Sequence, residues 1–416
     1  MSKIKGIYYR FRKNQLFKNF ISLFSLQGVN MILPFLTLPY LGKVLGTDRY
    51  GVVLMVYAVM QYLFVFCDYG FNLSATKDVS IYRDDKKKIN EIFSNIYYIK
   101  LGLIMSSFVV LFYLVSYIDV LKTHRTAYFL GFGIVIGQVL NPIWLFQGME
   151  RMKYITIVNV IAKGIFTGLI FLIIKTKSDY IKVPLLYSIG FMTGGIISIL
   201  IALKQFDVAF TKPNLGIIKR LIKNSTQYFL SRSAAAMFTS SNTFVSGLAL
   251  GDYFAGIFGA AERLFTAMTV IYTPLGDTLY PYMAKNRNMV LYKKILISVL
   301  IMNLVVAAGV YFFSSEIVFL VFGEGFEQSS ELLKLFCYVS LIYVPSVMIG
   351  YPLLGALGKE KYANYSVVFA SVLHMFLLFT FYEYLTVNKI VYLLIFAQSV
   401  VFTIRIIGVR KLKLKK

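Results

Sequence analysis

Apolar stretches of about twenty residues recur along almost the entire chain, and no other feature restricts its fold so tightly. Of the 416 residues, 58% are hydrophobic and 15% charged, with a mean hydropathy of +0.70. That charged fraction is too small to cover the surface of a soluble chain of this length. An ordinary cytosolic enzyme, a disordered chain and a small secreted domain are excluded. A bilayer core of about 30 Å is crossed by roughly 20 helical residues, and in hydrocarbon a helix satisfies its own backbone polar groups. The chain reads as an all-α integral membrane protein with twelve transmembrane helices. The expected spans are 15–37, 50–71, 92–117, 126–147, 154–175, 183–204, 225–248, 253–277, 291–313, 332–355, 362–384 and 389–409. Pro34 interrupts the first, and Ser and Thr dilute the seventh, so that one is expected to face a wet cavity or packed neighbours. The basic N-terminus runs into an apolar stretch longer than a signal-peptide core, with no A-x-A pattern after it, and reads as a first span.

Lys+Arg number 43 against 19 Asp+Glu, a net charge of +24. In a soluble chain that surplus would point to nucleic acid; here it sorts by connection. The N-terminal arm, the connections at 77–88, 151–153, 204–223, 285–294 and 359–361, and the C-terminal tail together hold 28 basic residues. The opposite connections hold eight, and seven lie within spans. By the positive-inside rule both termini are cytoplasmic, which requires an even number of spans. A nucleic-acid partner is not expected. The cysteines, Cys67 and Cys337, lie in apolar runs, and the only histidines are His124 and His374. A disulfide framework, a metal site, a cofactor and histidine-based catalysis are therefore not expected.

An internal repeat follows from motif spacing. Leu45-Gly46-Thr-Asp-Arg-Tyr50-Gly51 recurs as Leu250-Gly251-Asp-Tyr-Phe-Ala255-Gly256. Asp68 before Lys77 has a counterpart in Asp277 before Lys285. Gly148-Met-Glu-Arg-Met-Lys153-Tyr154 returns as Gly355-Ala-Leu-Gly-Lys-Glu-Lys361-Tyr362. The offsets fall between 205 and 209, half the chain. Six spans return the chain to its starting side, so two pseudo-symmetric six-helix bundles are expected, at 1–203 and 225–416, with 204–224 as a cytoplasmic linker. Symmetric bundles around a midplane cavity are a recurring transporter design.

Charges inside spans are costly and usually face protein or water. Lys18, Lys334 and Arg405 sit near span ends, where snorkelling explains them. Lys163, Arg232 and Arg263 lie roughly 10 to 15 Å deep at 1.5 Å per residue. Together with Lys100 they are the candidate cavity cations; for the three deepest the structural alternative is a buried ion pair with Asp68 or Glu262. Asp68 and Glu262 are also the candidates for ion coupling, although Asp68 could simply end its helix. His374 reads as a packing histidine, with a proton relay as the alternative. The pairs Gly133/Gly137, Gly164/Gly168, Gly190/Gly194 and Gly247/Gly251 read as close helix packing. Basic residues at mid-depth imply an anionic substrate, and arginine's planar fork favours phosphate.

Three segments carry a resemblance. Asp68-Tyr-Gly-Phe-Asn-Leu-Ser-Ala-Thr-Lys77-Asp78, Trp144-Leu-Phe-Gln-Gly148-Met-Glu-Arg151-Met and Pro274-Leu-Gly-Asp-Thr-Leu-Tyr-Pro281-Tyr are similar to Wzx-type flippases of O-antigen and capsule repeat units. Those belong to the multidrug/oligosaccharidyl-lipid/polysaccharide exporter superfamily. Asp68, Lys77, Gly148 and Arg151 are the motif positions, and Gly276 stands where a polar residue is expected. The resemblance implies a non-enzymatic transporter in the bacterial inner membrane. Its cargo would be an undecaprenyl-diphosphate-linked glycan, moved from the cytoplasmic to the periplasmic leaflet with its polyprenyl tail left in membrane lipid. Coupling to a proton or monovalent cation and contact with the polymerase of the same pathway are further implications. The competing readings are a drug/cation antiporter of the same superfamily, a peptidoglycan-precursor flippase, and a membrane glycan polymerase or acyltransferase. The antiporter would place acidic residues in the cavity. The enzyme would need a large external loop, and the longest here is about 314–331.

Overall fold

A computed structural model describes residues 15–412, without the side chains of 15–32, 34, 35, 231, 235, 237, 239 and 240. The basic N-terminal arm, the last four residues and the Lys18 side chain lie outside that description. Among the described residues all regular structure is helical. In chain order the helices begin with α1 (Gln15–Asp68), α2 (Phe71–Tyr82), α3 (Lys86–Tyr117), α4 (Asp119–Lys122), α5 (Arg125–Leu140) and α6 (Ile143–Gly148). They continue with α7 (Lys153–Ile173), α8 (Lys182–Gln205), α9 (Leu215–Leu250), α10 (Asp252–Thr269) and α11 (Tyr272–Asn286). The last five are α12 (Met289–Phe312), α13 (Ser314–Phe322), α14 (Glu327–Ile349), α15 (Glu360–Thr380) and α16 (Val387–Arg410), with a π-helical turn at Gly350–Gly355 after α14.

Among the described residues ten helical segments are long and apolar enough to cross a membrane, and the protein is a multi-pass membrane protein. They coincide with ten of the expected spans. The expected first span lies in α1, largely outside the described side chains. The expected seventh lies in α9, whose 36 residues would cross but whose polar load keeps it from qualifying on composition.

The chain divides into two compact units. Unit 1 comprises Met1–Val44 and Val56–Ser233, and unit 2 comprises Leu45–Met55 and Ala234–Lys416. In unit 1, α5 and α8 pack at backbone distance: a Cβ on Gly137 would overlap the Phe191 backbone, and Ser188 donates to the Leu130 carbonyl at 2.6 Å. The pairs Gly133/Gly137 and Gly190/Gly194 thus work as close-packing residues. Gly164 and Gly168 do not, since both face open space. The stretch 204–224, expected as linker, is extended only up to α9. One helical face of α3 holds that extended part through side chains. Asn90 accepts from Ala209 N–H (3.0 Å), Ser94 from Thr211 N–H (2.8 Å) and Asn95 from Asn214 N–H (2.8 Å). Tyr98 donates to the Thr211 carbonyl at 2.9 Å. Residues three and four apart are neighbours on a helix surface, as Asn90 and Ser94, Ser94 and Tyr98, and Asn95 and Tyr98 are, so this polar stripe satisfies an extended segment that has no strand partner among the described residues.

Unit 2 contains a deep cation that the sequence places wrongly. Arg405 does not snorkel; it is 8% exposed. Its Nη1 donates to the Ser346 carbonyl at 2.5 Å, Nη2 to the Ala363 carbonyl at 3.3 Å and Nε to Ser366 Oγ at 3.1 Å. Pro345 inside α14 and the π-helical turn beyond it disturb the ladder of backbone bonds. The guanidinium ties α14, one residue after Pro345, to the start of α15.

The repeat has a geometric counterpart. Gly46 and Gly251 share one backbone conformation, φ 70°, ψ 172° and φ 96°, ψ 172°, each opening a new helical run. Within unit 2 the two copies also face each other. A Cβ on Gly51 would overlap the Asp252 carbonyl, and one on Gly256 would overlap the Thr47 carbonyl. Thr47 and Gly51 of one copy correspond to Asp252 and Gly256 of the other, so the contact is reciprocal, as a two-fold relation requires. The third match repeats a helix stop. Arg151 N–H bonds the Phe146 carbonyl at 2.8 Å and Lys359 N–H the Leu354 carbonyl at 2.7 Å, after Glu150 (φ 56°) and Gly358 (φ 75°). These are six-to-one closures of the kind that ends helices with a left-handed residue. The Asp68/Asp277 match does not extend to environment: Asp68 is buried and Asp277 exposed.

Candidate functional site

The first two motif segments meet in unit 1. Asp68 ends α1, Tyr69 and Gly70 take left-handed conformations (φ 47° and 76°), and α2 then carries the rest of the first segment. The second segment forms α6. Thr76 Oγ1 lies 3.2 Å from Gln147 Oε1, a Cβ on Gly148 would sit 2.5 Å from Val79 Cγ1, and Arg83 pairs with Glu150 at 3.2 Å. The first segment also grips the N-terminal part of α9. Tyr69 stacks on Phe229 with ring centroids 4.7 Å apart, and Ser74 bonds Ser225 at 2.6 Å. Gly148 is therefore a packing residue, while Lys77 and Arg151 are exposed.

Gly70 makes the tightest approach to backbone in this hub. Its Cβ-bearing replacement would meet Phe229 N at 2.7 Å and Ser225 O at 3.0 Å, in a conformation L-residues avoid. Gly70→Ala should destabilise unit 1 by about 1–3 kcal/mol, seen as a lower melting temperature of the purified protein. An unchanged melting curve would show that the hub yields freely.

Asp68 and Lys100 form a buried ion pair between the end of α1 and α3. Nζ lies 3.7 Å from Oδ1, with side chains 1% and 3% exposed. Neither Asp68 oxygen makes a hydrogen bond of good geometry. One residue earlier, Cys67 Sγ lies 3.0 Å from Ser107 Oγ, also between α1 and α3. Lys100, read from the sequence as a cavity cation, is thus packed against a counter-charge. The buried pair foreseen for a deeper cation is made by this shallower one. Lys100 falls two helical turns below Ser107 on α3, and only the approach of α1 brings Asp68 to it.

The remaining candidates distribute over both units. In unit 1, Lys163 on α7 is partly buried and Arg232 on α9 is exposed. In unit 2, Arg263 and Glu262 on α10 are partly buried. Glu262 Oε2 accepts from Thr243 Oγ1 at 2.7 Å and faces the Asn242 side chain and the Arg263 charge. Asn242 Oδ1 in turn lies 2.7 Å from His374 Nε2. His374 and Asn242 are 0% and 1% exposed. The sequence showed polar residues crowding α9 but not that Asn242 is the one that joins Glu262 to a histidine more than a hundred residues away, with Thr243 bonding the carboxylate alone. Gly276 of the third motif is buried, 3.4 Å by its would-be Cβ from Pro352 of the π-helical turn, which is a packing role. Among the described residues no group of His, Cys, Asp and Glu could hold a metal ion.

A bundle of membrane-crossing helices, with charged and amide side chains buried between them and internally repeated helix breaks, defines a transporter-type membrane protein rather than a soluble enzyme. The chain belongs to the polysaccharide biosynthesis protein family, whose sequence model matches residues 16–287. It is 27% identical over 375 residues to an O-antigen transporter of Shigella dysenteriae, covering 88% of this chain and 93% of that one. With an O-antigen transporter of Escherichia coli (strain K12) it shares 29% identity over 269 residues, and the alignment spans 65% of each chain. A low-salt glycan biosynthesis flippase of Haloferax volcanii is 23% identical over 357 residues, 83% of this chain and 73% of that one. These names are in each case those of transporters or a flippase, not of enzymes. The fold is that of an inward-facing multidrug resistance MATE family transporter of the MOP superfamily. The two superpose with a TM-score of 0.72 at 13% identity, over 94% of this chain and 97% of that one.

Proposed function

We propose that this protein is a lipid-linked oligosaccharide flippase. It moves undecaprenyl-diphosphate-linked O-antigen or capsular repeat units from the cytoplasmic to the periplasmic leaflet by alternating access. The observation that carries this reading is the match to the polysaccharide biosynthesis family, since a shared fold with multidrug transporters names no substrate. The chain lies in the bacterial inner membrane with both termini in the cytoplasm. Twelve spans form two six-helix bundles, 1–203 and 225–416, joined through 204–224. Arg232, Arg263 and Lys163 receive the diphosphate and first sugars, while the polyprenyl tail stays among membrane lipids. Guanidinium forks suit the paired phosphate oxygens, and the same cations disfavour a cationic drug. Lys100 serves this cavity indirectly, through its pair with Asp68. Asp68 and Glu262 take up the coupling proton or monovalent cation. The pathway's polymerase is the expected protein partner.

Charge-assisted hydrogen bonds are worth about 1.5–3 kcal/mol each. Arg232→Ala and Arg263→Ala should each lower export of a labelled lipid-linked glycan by roughly 10- to 100-fold, at unchanged levels of inserted protein. Full export by the double alanine variant would overturn the cationic-cavity reading.

A further inference from the structure

The histidine in α15 and the carboxylate in α10 are joined by one amide. Asn242, buried on α9, presents Oδ1 to His374 Nε2 at 2.7 Å and its side chain also faces Glu262. Thr243 Oγ1, with hydrogen placed toward the carboxylate, donates to Glu262 Oε2 at 2.7 Å. An amide has one accepting end and one donating end. With Oδ1 toward the ring, Nε2 must carry the hydrogen, and the amide N–H₂ is left for the carboxylate. His374 Nδ1 then needs no hydrogen, and it is buried without a hydrogen bond of good geometry beside the Leu393 backbone.

We propose that Glu262 is a proton-binding site whose state is transmitted to His374 by a flip of the Asn242 amide. This rests on reading Glu262 as a coupling carboxylate. As the anion, Glu262 accepts from Asn242 N–H₂, Asn242 Oδ1 accepts from His374 Nε2–H, and the ring is the Nε2–H tautomer. When Glu262 takes one proton it becomes a donor. Asn242 then turns its oxygen to Glu262 and its N–H₂ to Nε2, which must now be bare. By exchange with water the imidazole takes a proton on Nδ1 and gives up the one on Nε2, so the ring stays neutral and its new N–H faces the Leu393 backbone. One proton is bound in all, on Glu262. The two arrangements are discrete because the Asn242 amide turns one end to His374 and the other to Glu262 in each.

The surroundings suit such a two-state device. Asn242 and Thr243 are 1% and 6% exposed, and Glu262 is partly buried beside them. Arg263 on the same helix is the charged group acting on Glu262. On the histidine side the neighbours are Asn242, the Phe238 ring at 5.6 Å and the Leu393 backbone, and no charged group is among these contacts. His374 therefore responds to Glu262 through the amide rather than to a charge of its own.

The chain has two histidines, and His124 has its own partner in Tyr180 at 3.1 Å. Imidazole nitrogen NMR of the full-length protein in lipid nanodiscs, with His124 assigned from the H124Q variant, reads the His374 tautomer directly. Between pH 8.5 and pH 5.0 the protonated and bare nitrogen signals of His374 should exchange places, and this change should be lost in Glu262→Gln and in Asn242→Ala. A single tautomer across the whole range would overturn the proposal, as would an imidazolium signal or a change that persists in either variant. Should a variant not fold, the pH comparison on the unaltered chain still decides. No glycan enters the measurement, so loss of the flippase reading through the arginine variants would leave this result intact, and the reverse also holds.

Discussion

Asp68→Ala should remove most of the folded protein from the membrane. The substitution leaves the Lys100 ammonium buried at 1% exposure with its counter-charge gone. Breaking a buried pair from one side costs about 3–5 kcal/mol, because the remaining charge is neither solvated nor compensated. That is a large share of a typical folding free energy. Replacing both partners removes the problem: Asp68→Ala combined with Lys100→Met should recover most of the lost stability, since apolar replacements of buried pairs are often neutral or stabilising. Thermal melts and yields of inserted protein measure both effects. A single variant as stable as the unaltered chain would mean that Lys100 reaches water. Transport separates structure from coupling. If the pair only holds α1 to α3, the double variant exports normally; if Asp68 exchanges a proton or cation, the double variant folds and exports nothing.

The second large effect is expected at the reciprocal glycine contact. Gly51→Ala and Gly256→Ala each place a methyl where the other copy's carbonyl already stands, against Asp252 and Thr47 respectively. Neither obstacle is a side-chain tip that can swing away, so the backbones must part. Overpacking of this kind costs about 1–3 kcal/mol or more. Because both substitutions separate the same two segments, the double variant should lose less than the sum of the single losses, the behaviour of coupled sites. Gly164→Ala and Gly168→Ala, at glycines facing open space on α7, are the controls and should not lower stability. Additive losses at Gly51 and Gly256 would show that the two copies do not share one contact.

Several features of the fold are legible in the amino-acid sequence. Length and hydropathy mark the membrane segments because crossing hydrocarbon requires an unbroken run of apolar residues, a property of the linear chain. The repeat was readable too. Its glycines and its helix stops keep a fixed spacing because each local backbone turn depends on the residue at that position, as at Gly46 and Gly251. Side-chain pairing was not readable. The distance of Lys100 from Lys163, Arg232 and Arg263 along the chain says nothing about which of them meets a carboxylate.

The amino-acid sequence by itself determined the solvent of this protein, its helical class, its twofold internal spacing and the family resemblance, all of which depend on composition and local order. Tertiary structure alone decided what the buried charges do. Helix crossings brought Asp68 to Lys100, turned Arg405 from a surface anchor into a buried tie between α14 and α15, and set Asn242 between Glu262 and His374. The reason is that in a low-dielectric interior a charge is governed by neighbours within a few ångströms, and those neighbours come from other helices.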